Sequence, residues 1–337
     1  MGNIICKIEN VLMWVTKRLV MAIPVVMLIG FVWGNVFESS VLKAGIIPMT
    51  ILMVYPMMVN LNMQKVLAIG DLRLQIAAQI LNFALLPFVA LLIGKVFFGA
   101  QAYYVLGFLL AGLLPTSGMT ISWTGFAKGN VEAAVKMTVI GLTAGSFLTP
   151  VYIKWLLGAD IAVNVPDIIK QIMLVVFLPM LLGQLTRQYL LRKKGAELFK
   201  TRIVPSLSSL STAGVLGVIF IAIALKARAI WGHPGEIVTI LIPVILLYVL
   251  NYMISTLLAR KYFSRKDAIA FVYGTVMRNL SIALAIAMNS FGAHGTDAAL
   301  VICFAYIVQV QSAAWYVRLT DRVFGESGVP EVSPARN

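Results

Sequence analysis

Arg278 is the residue whose chemistry fits its surroundings least. It lies in Val272–Tyr273–Gly274–Thr275–Val276–Met277–Arg278–Asn279–Leu280–Ser281, inside an apolar stretch of about 25 residues, long enough to cross a bilayer. A cation at the centre of a membrane helix costs roughly 2.5–3.5 kcal/mol on insertion scales. The 13 Asp and Glu residues all fall in loops, tails or end turns of helices, so none shares its depth. Such an arginine must be matched by backbone carbonyls, by water, or by an anion that arrives and leaves. Three roles follow: capping the end of a broken half-helix, binding a substrate or counter-anion, or snorkelling to an interface.

A second polar cluster lies in Gly112–Leu113–Leu114–Pro115–Thr116–Ser117–Gly118–Met119–Thr120–Ile121–Ser122–Trp123–Thr124. Pro115 removes one helical hydrogen bond and Gly118 lowers the cost of unwinding. Backbone freed at that depth must be satisfied by protein or water. The segment is therefore either broken around a lined cavity or a packing kink relieved by its hydroxyls. Around Arg278, a continuous helix would place Gly274, Arg278, Ser281 and Ala285 on one small, polar face, with Thr275 and Asn279 beside it.

The elements that must position these residues are membrane helices. The 337 residues are 60% hydrophobic and 12% charged, with a mean hydropathy of +0.93, the composition of a polytopic all-α membrane protein. Apolar windows fall near 19–37, 44–63, 74–98, 102–125, 131–157, 166–190, 203–225, 236–258, 267–291 and 297–317, each about the length that crosses 30 Å of hydrocarbon. Residues 1–18 read as a cytoplasmic amphipathic segment. The first five spans occupy 19–157 and the second five 166–317. Span 6 and a basic cytoplasmic loop fill 158–202, and a cytoplasmic tail covers 318–337.

The net charge of +14 sits in short loops, where it sets topology and meets anionic lipid rather than nucleic acid. Of the 27 Lys and Arg, about twenty lie on the side of both termini and roughly six on the other, which predicts a plasma (inner) membrane protein with both termini cytoplasmic. Five spans per half make any internal repeat an inverted one. The two interrupted segments, Pro115 with Gly118 and Gly274 with Arg278, then stand at corresponding positions in spans 4 and 9. That pattern points to a midplane binding site with Pro115, Gly118 and Gly274 as hinges.

Several motifs in order resemble the bile acid:sodium symporter superfamily. They are Asn82–Phe83 with Pro87, Ala127–Lys128–Gly129–Asn130, Met137–Thr138, Leu148–Thr149–Pro150 and Met277–Arg278–Asn279. Tyr55–Pro56–Met57–Met58 and Asn279–Leu280–Ser281–Ile282–Ala283–Leu284–Ala285 look most like its arsenite-efflux (arsenical resistance) branch. The resemblance implies two inverted five-helix repeats, a panel and a core domain, with broken spans 4 and 9 crossing in the core and substrate bound nearby. Domain movement would give alternating access. Substrate ligands would come from Arg278, Asn279, Ser281, Thr275, Thr116, Ser117 and Thr120, and ion ligands from Asn82, Thr120 and Thr138.

The chain also departs from the family pattern it resembles. Sodium-coupled members carry a glutamate where this chain has Gly274, and a glutamine at Arg278. Their Ser–Asn pair on span 4 becomes Thr120–Ile121. A site without its carboxylate and with a guanidinium nearby is poor for Na⁺, so Na⁺ coupling is disfavoured. Arsenite exporters carry a cysteine on span 4 and a glutamate on span 9; here the nearest positions are Leu114, Thr116 or Ser117, and Ser281. Without a thiolate, soft-ligand capture of As(III) is missing.

The leading expectation is a secondary transporter of a small organic or inorganic anion. A sodium-coupled bile-acid or organic-anion symporter and an arsenite permease stand as alternatives. A membrane-embedded enzyme would need a nucleophile–base pair or a metal site at depth, and no such set of residues is found. No cofactor or resident metal is expected; Na⁺ is the one ion left open, and it is disfavoured. The partners are a small-molecule or ionic substrate and membrane lipid; oligomeric state is left open. Gln309, Gln311 and Ser312 either line a cavity or join helices, and Cys303 reads as packing.

Overall fold

The computed structural model describes residues 11–16, 18–61, 71–99, 101–161, 165–232 and 235–325. Most of the predicted amphipathic segment, and residues 326–337 of the tail, lie outside them. The described chain is helical. In order, the helices are α1 (Leu19–Val36), α2 (Ile46–Asn60), α3 (Leu72–Phe98), α4 (Ala102–Leu113), α5 (Gly118–Phe126) and α6 (Val131–Leu157). Helix α7 runs from Val165–Ile172 through a π turn at Met173–Phe177 into Leu178–Lys194. There follow α8 (Val204–Gly232), α9 (Gly235–Tyr262), α10 (Arg265–Val276), α11 (Leu280–Ser290) and α12 (Gly295–Phe324).

Six continuous helical segments among the described residues are long and apolar enough to cross a membrane: Ser40–Asn60, Leu72–Phe98, Val131–Leu157, Ala196–Gly232, Gly235–Tyr262 and Gly295–Phe324. Shorter apolar helices cover Met21–Val36, Ala102–Leu113 and Leu280–Ser290. Many large apolar side chains stay exposed, such as Val96, Trp155 and Leu257. An outer surface of this kind suits lipid rather than water. The final helix runs to Phe324, beyond the span end near 317 expected from hydropathy. Its extension is held by Arg265, which pairs with Asp321 and donates from Nε to the Gly325 carbonyl at 2.7 Å.

Proline explains the irregular turns. The π turns at Leu81–Leu85, Met173–Phe177 and Phe199–Ile203 each end two residues before a proline: Pro87, Pro179 and Pro205. A proline lacks the N–H that would bond four residues back, and the chain widens to accommodate the loss. The carbonyl freed by Pro87 is that of Phe83, and it accepts a hydrogen bond from the Tyr152 hydroxyl at 2.7 Å.

The helices sort into two groups by packing. Helices α1, α2, α7 and α8 pack chiefly on one another, and α3 to α6 with α9 to α12 form the second group. Close approach holds the first group together. A Cβ on Gly34 of α1 would collide with the Ala224 carbonyl oxygen of α8, and one on Gly214 of α8 would collide with the Met53 backbone of α2.

Candidate functional site

The chain leaves helical geometry twice at membrane depth, and the two breaks meet. Helix α4 ends at Leu113 and α5 begins at Gly118; α10 ends at Val276 and α11 begins at Leu280. Pro115 and Arg278 form an isolated antiparallel bridge. The Thr116 N–H donates to the Met277 carbonyl at 2.8 Å, and the Asn279 N–H donates to the Leu114 carbonyl at 2.8 Å. Each break thus supplies the backbone partners that the other lost, which is how irregular backbone persists away from water.

The new helix starts are capped by their own side chains. Ser117 Oγ accepts from the Met119 N–H and Thr120 Oγ1 accepts from the Ser117 N–H, a reciprocal capping box. Asn279 Oδ1 accepts from the Ile282 N–H at 3.2 Å. Thr116 takes a left-handed conformation, φ 61°, which strains a β-branched residue. Its hydroxyl donates to the Pro115 carbonyl at 2.7 Å and lies 3.4 Å from the Met137 and Thr138 carbonyls of α6.

Arg278 sits in the break, 3% exposed. The continuous polar face expected through Gly274, Arg278, Ser281 and Ala285 does not form, because the unwound turn separates α10 from α11. The Arg278 Nη2 donates to the Thr275 carbonyl, in the last turn of α10, where the negative end of the helix dipole favours a cation. Nη1 is buried and has no partner. A cavity of about 10 Å³, room for roughly one water, is lined by Arg278, Tyr248, Asn251, Leu86, Ala111, Gly112 and Leu247. Among the described residues no carboxylate pairs with Arg278. The other buried cation, Lys136, differs: its ammonium lies 3.7 Å from both Asp71 and Glu132.

The backbone of Arg278 is clamped by Gln309 of α12. Gln309 Oε1 accepts from the Arg278 N–H at 2.7 Å and from the Tyr248 hydroxyl at 2.9 Å, while Nε2 donates to the Arg278 carbonyl at 3.2 Å. A ring of polar groups supports the other end. Thr275 Oγ1 donates to Ser255 Oγ at 2.7 Å, Ser255 donates to Asn251 Oδ1, and Asn251 Nδ2 returns to the Thr275 carbonyl at 3.2 Å. Sequence reasoning does not single out Tyr248, Asn251 or Ser255. Their recurrence at three- and four-residue spacing on α9 is the signal that could have found them.

The structure brings Arg278, Asn279, Thr275, Thr116, Ser117 and Thr120 together at the crossing. Ser281 is diverted: its hydroxyl bonds that of Tyr306 on α12. Each of the three predicted ion ligands makes a hydrogen bond to a nearby group. The Thr138 hydroxyl donates to the Ala134 carbonyl at 2.8 Å, and Thr120 Oγ1 accepts in the capping box. Asn82 donates to the Gly274 carbonyl at 3.1 Å, and its buried Oδ1 has no partner. At Gly274, an added Cβ would collide with Met137 Sδ, so methionine fills the space a longer side chain would need.

Of the hinge candidates, Pro115 lies in the break, and Gly118 opens α5 with nothing within 4 Å of an added Cβ. Gly274 is packed within α10. Cys303 is buried in the apolar core of α12, and Gln309 joins helices.

Crossed helix breaks within an apolar helical bundle define an integral membrane protein, and the comparisons with known proteins supply its class. Residues 47–233 match the model of the Sodium Bile acid symporter family. The chain belongs to that family and is a membrane transporter. It is 23% identical over 326 residues to an uncharacterized transporter of Synechocystis, covering 88% of this chain and 84% of the relative. It is 23% identical over 290 residues to the arsenical-resistance protein Acr3 of Alkaliphilus metalliredigens, covering 80% and 79%. A shorter match, 33% identical over 110 residues, reaches a probable chloroplastic sodium/metabolite cotransporter of rice, with 33% of this chain and 27% of the relative covered.

Proposed function

We propose that this chain is a secondary transporter that carries a small organic or inorganic anion by alternating access, without Na⁺, and that the anion binds near the crossing of the α4–α5 and α10–α11 breaks. The observation that carries the reading is the unpartnered guanidinium nitrogen of Arg278, buried at the crossing with no carboxylate beside it. Uncompensated buried charge is costly, and an anion that visits the site offsets that cost. In the conformation described the adjoining cavity, lined by α3, α4, α9 and the α10–α11 break, holds about one water, so a larger anion needs these helices to move apart around Arg278. Spans 1–5 and 6–10 then act as inverted halves in the plasma (inner) membrane, with the basic loops and both termini in the cytoplasm.

The same break supports Na⁺ independence. The guanidinium already holds the Thr275 carbonyl, and Gly274 offers no carboxylate. A second reading, arsenite efflux, is favoured by the Acr3 relatives. Against it, Cys303 is buried on α12, and the crossing offers hydroxyls and amides rather than a thiolate.

The experiment is flux in proteoliposomes for small carboxylates, sulfonates, bile acids, arsenite and metalloid oxyanions, with and without Na⁺. Saturable anion flux that ignores Na⁺ and is lost in Arg278→Ala supports the proposal. Flux of arsenite alone, or flux that requires Na⁺, replaces it with the corresponding alternative.

A further inference from the structure

Among the described residues, two polar contacts that join the helix groups lie at the same end of the bundle. The ammonium of Lys226, near the end of α8, pairs with Asp297 in the first turn of α12. Asn289 Nδ2, at the end of α11, donates to Thr50 Oγ1 near the start of α2, at 3.3 Å. The pairs Lys95–Asp160, Lys136–Asp71, Lys136–Glu132 and Arg265–Asp321 all stay with the second group. Of these ion pairs, Lys226–Asp297 is the one that crosses.

The surface that receives Lys226 is braced. The Tyr104 hydroxyl of α4 donates to Glu236 in the first turn of α9, and the His294 ring stacks on Tyr103 with centroids 4.6 Å apart. Asp297 thus stands on helix starts tied to one another, while Lys226 reaches it from the other group. Both side chains are partly buried, 21% and 19% exposed. Charges separated at a partly wetted position regain hydration, so such a pair biases an equilibrium without locking it. An apolar seal would instead expose its surface on opening.

We infer that Lys226 and Asp297 form a latch closing one end of the passage between the helix groups, so that the conformation described is sealed at the end opposite the basic loops. The inference rests on the alternating-access reading above. The test uses full-length protein with Cys6→Ser and Cys303→Ala, carrying Ser117→Cys at the crossing, in proteoliposomes of determined orientation. A membrane-impermeant maleimide is applied from either side. Lys226→Ala and Asp297→Ala should each raise labelling from the Lys226 side by about fivefold, the factor of a modest shift in a two-state equilibrium. The exchanged pair Lys226→Asp with Asp297→Lys should return it to the parent value. Unchanged labelling in both single variants, with the introduced thiol reactive from the opposite side, overturns the latch. A thiol at that position unreactive from both sides overturns the passage itself, and with it the alternating-access reading.

Discussion

Replacing Gln309 by leucine removes an amide that serves three groups while keeping similar bulk. The Arg278 N–H, the Arg278 carbonyl and the Tyr248 hydroxyl all lose a partner, at 2.7, 3.2 and 2.9 Å respectively. A buried polar group left unmet costs about 1–3 kcal/mol. The adjacent cavity, about 10 Å³, can admit one water to recover part of the loss. A net cost of about 2–5 kcal/mol follows. Gln309→Glu retains the acceptor for the Arg278 N–H and Tyr248 and loses only the donor to the Arg278 carbonyl, so it should cost less. Unfolding of purified protein in detergent, with hydrogen exchange at the Met277–Asn279 segment, measures both effects. Gln309→Leu should unfold earlier and exchange faster there, with Gln309→Glu intermediate. A Gln309→Leu protein with parent stability and parent exchange would refute the clamp.

Other consequences follow from the packing around the crossing. Gly274→Ala should destabilise by roughly 1–3 kcal/mol through overpacking, because its Cβ falls on Met137 Sδ. Combining it with Met137→Ala should recover part of that loss in a double-mutant cycle. Thr116→Val keeps the left-handed strain and discards the hydroxyl that bonds the Pro115 carbonyl; about 1–3 kcal/mol of unfolding free energy should go with it. Thr116→Gly relieves the φ 61° strain, so it should cost less than valine in the same melt.

Much of this site is legible in the residues. Pro115 and Gly118 mark the first break through the hydrogen bond that proline cannot make, and Arg278 marks the second through its charge. Their meeting is suggested only by matched positions in the two halves, because the bonds at Thr116 and Asn279 join residues some 160 apart in the chain. The helical face through Gly274, Arg278 and Ser281 is misread for a related reason: once Met277–Asn279 unwinds, 3.6-residue spacing no longer predicts direction. At Arg278 the sequence sets capping against anion binding. One guanidinium nitrogen caps the Thr275 carbonyl and the other is left without a partner. The clamp by Gln309 lies beyond the sequence, since a glutamine on an apolar helix is equally able to join helices or line a cavity. The π turns are hidden too, although each precedes a proline by two residues.

The central claim is that the charge of Arg278 holds the transported anion. The direct measurement is initial anion flux in proteoliposomes for the parent, Arg278→Lys and Arg278→Ala, at matched incorporation and with folding checked by monodispersity and melting. Arg278→Ala should lose at least about tenfold in flux, the effect of roughly 1.4 kcal/mol, while Arg278→Lys keeps part of it by preserving the charge. Parent flux in a well-folded Arg278→Ala protein, across every anion the parent carries, would contradict the account.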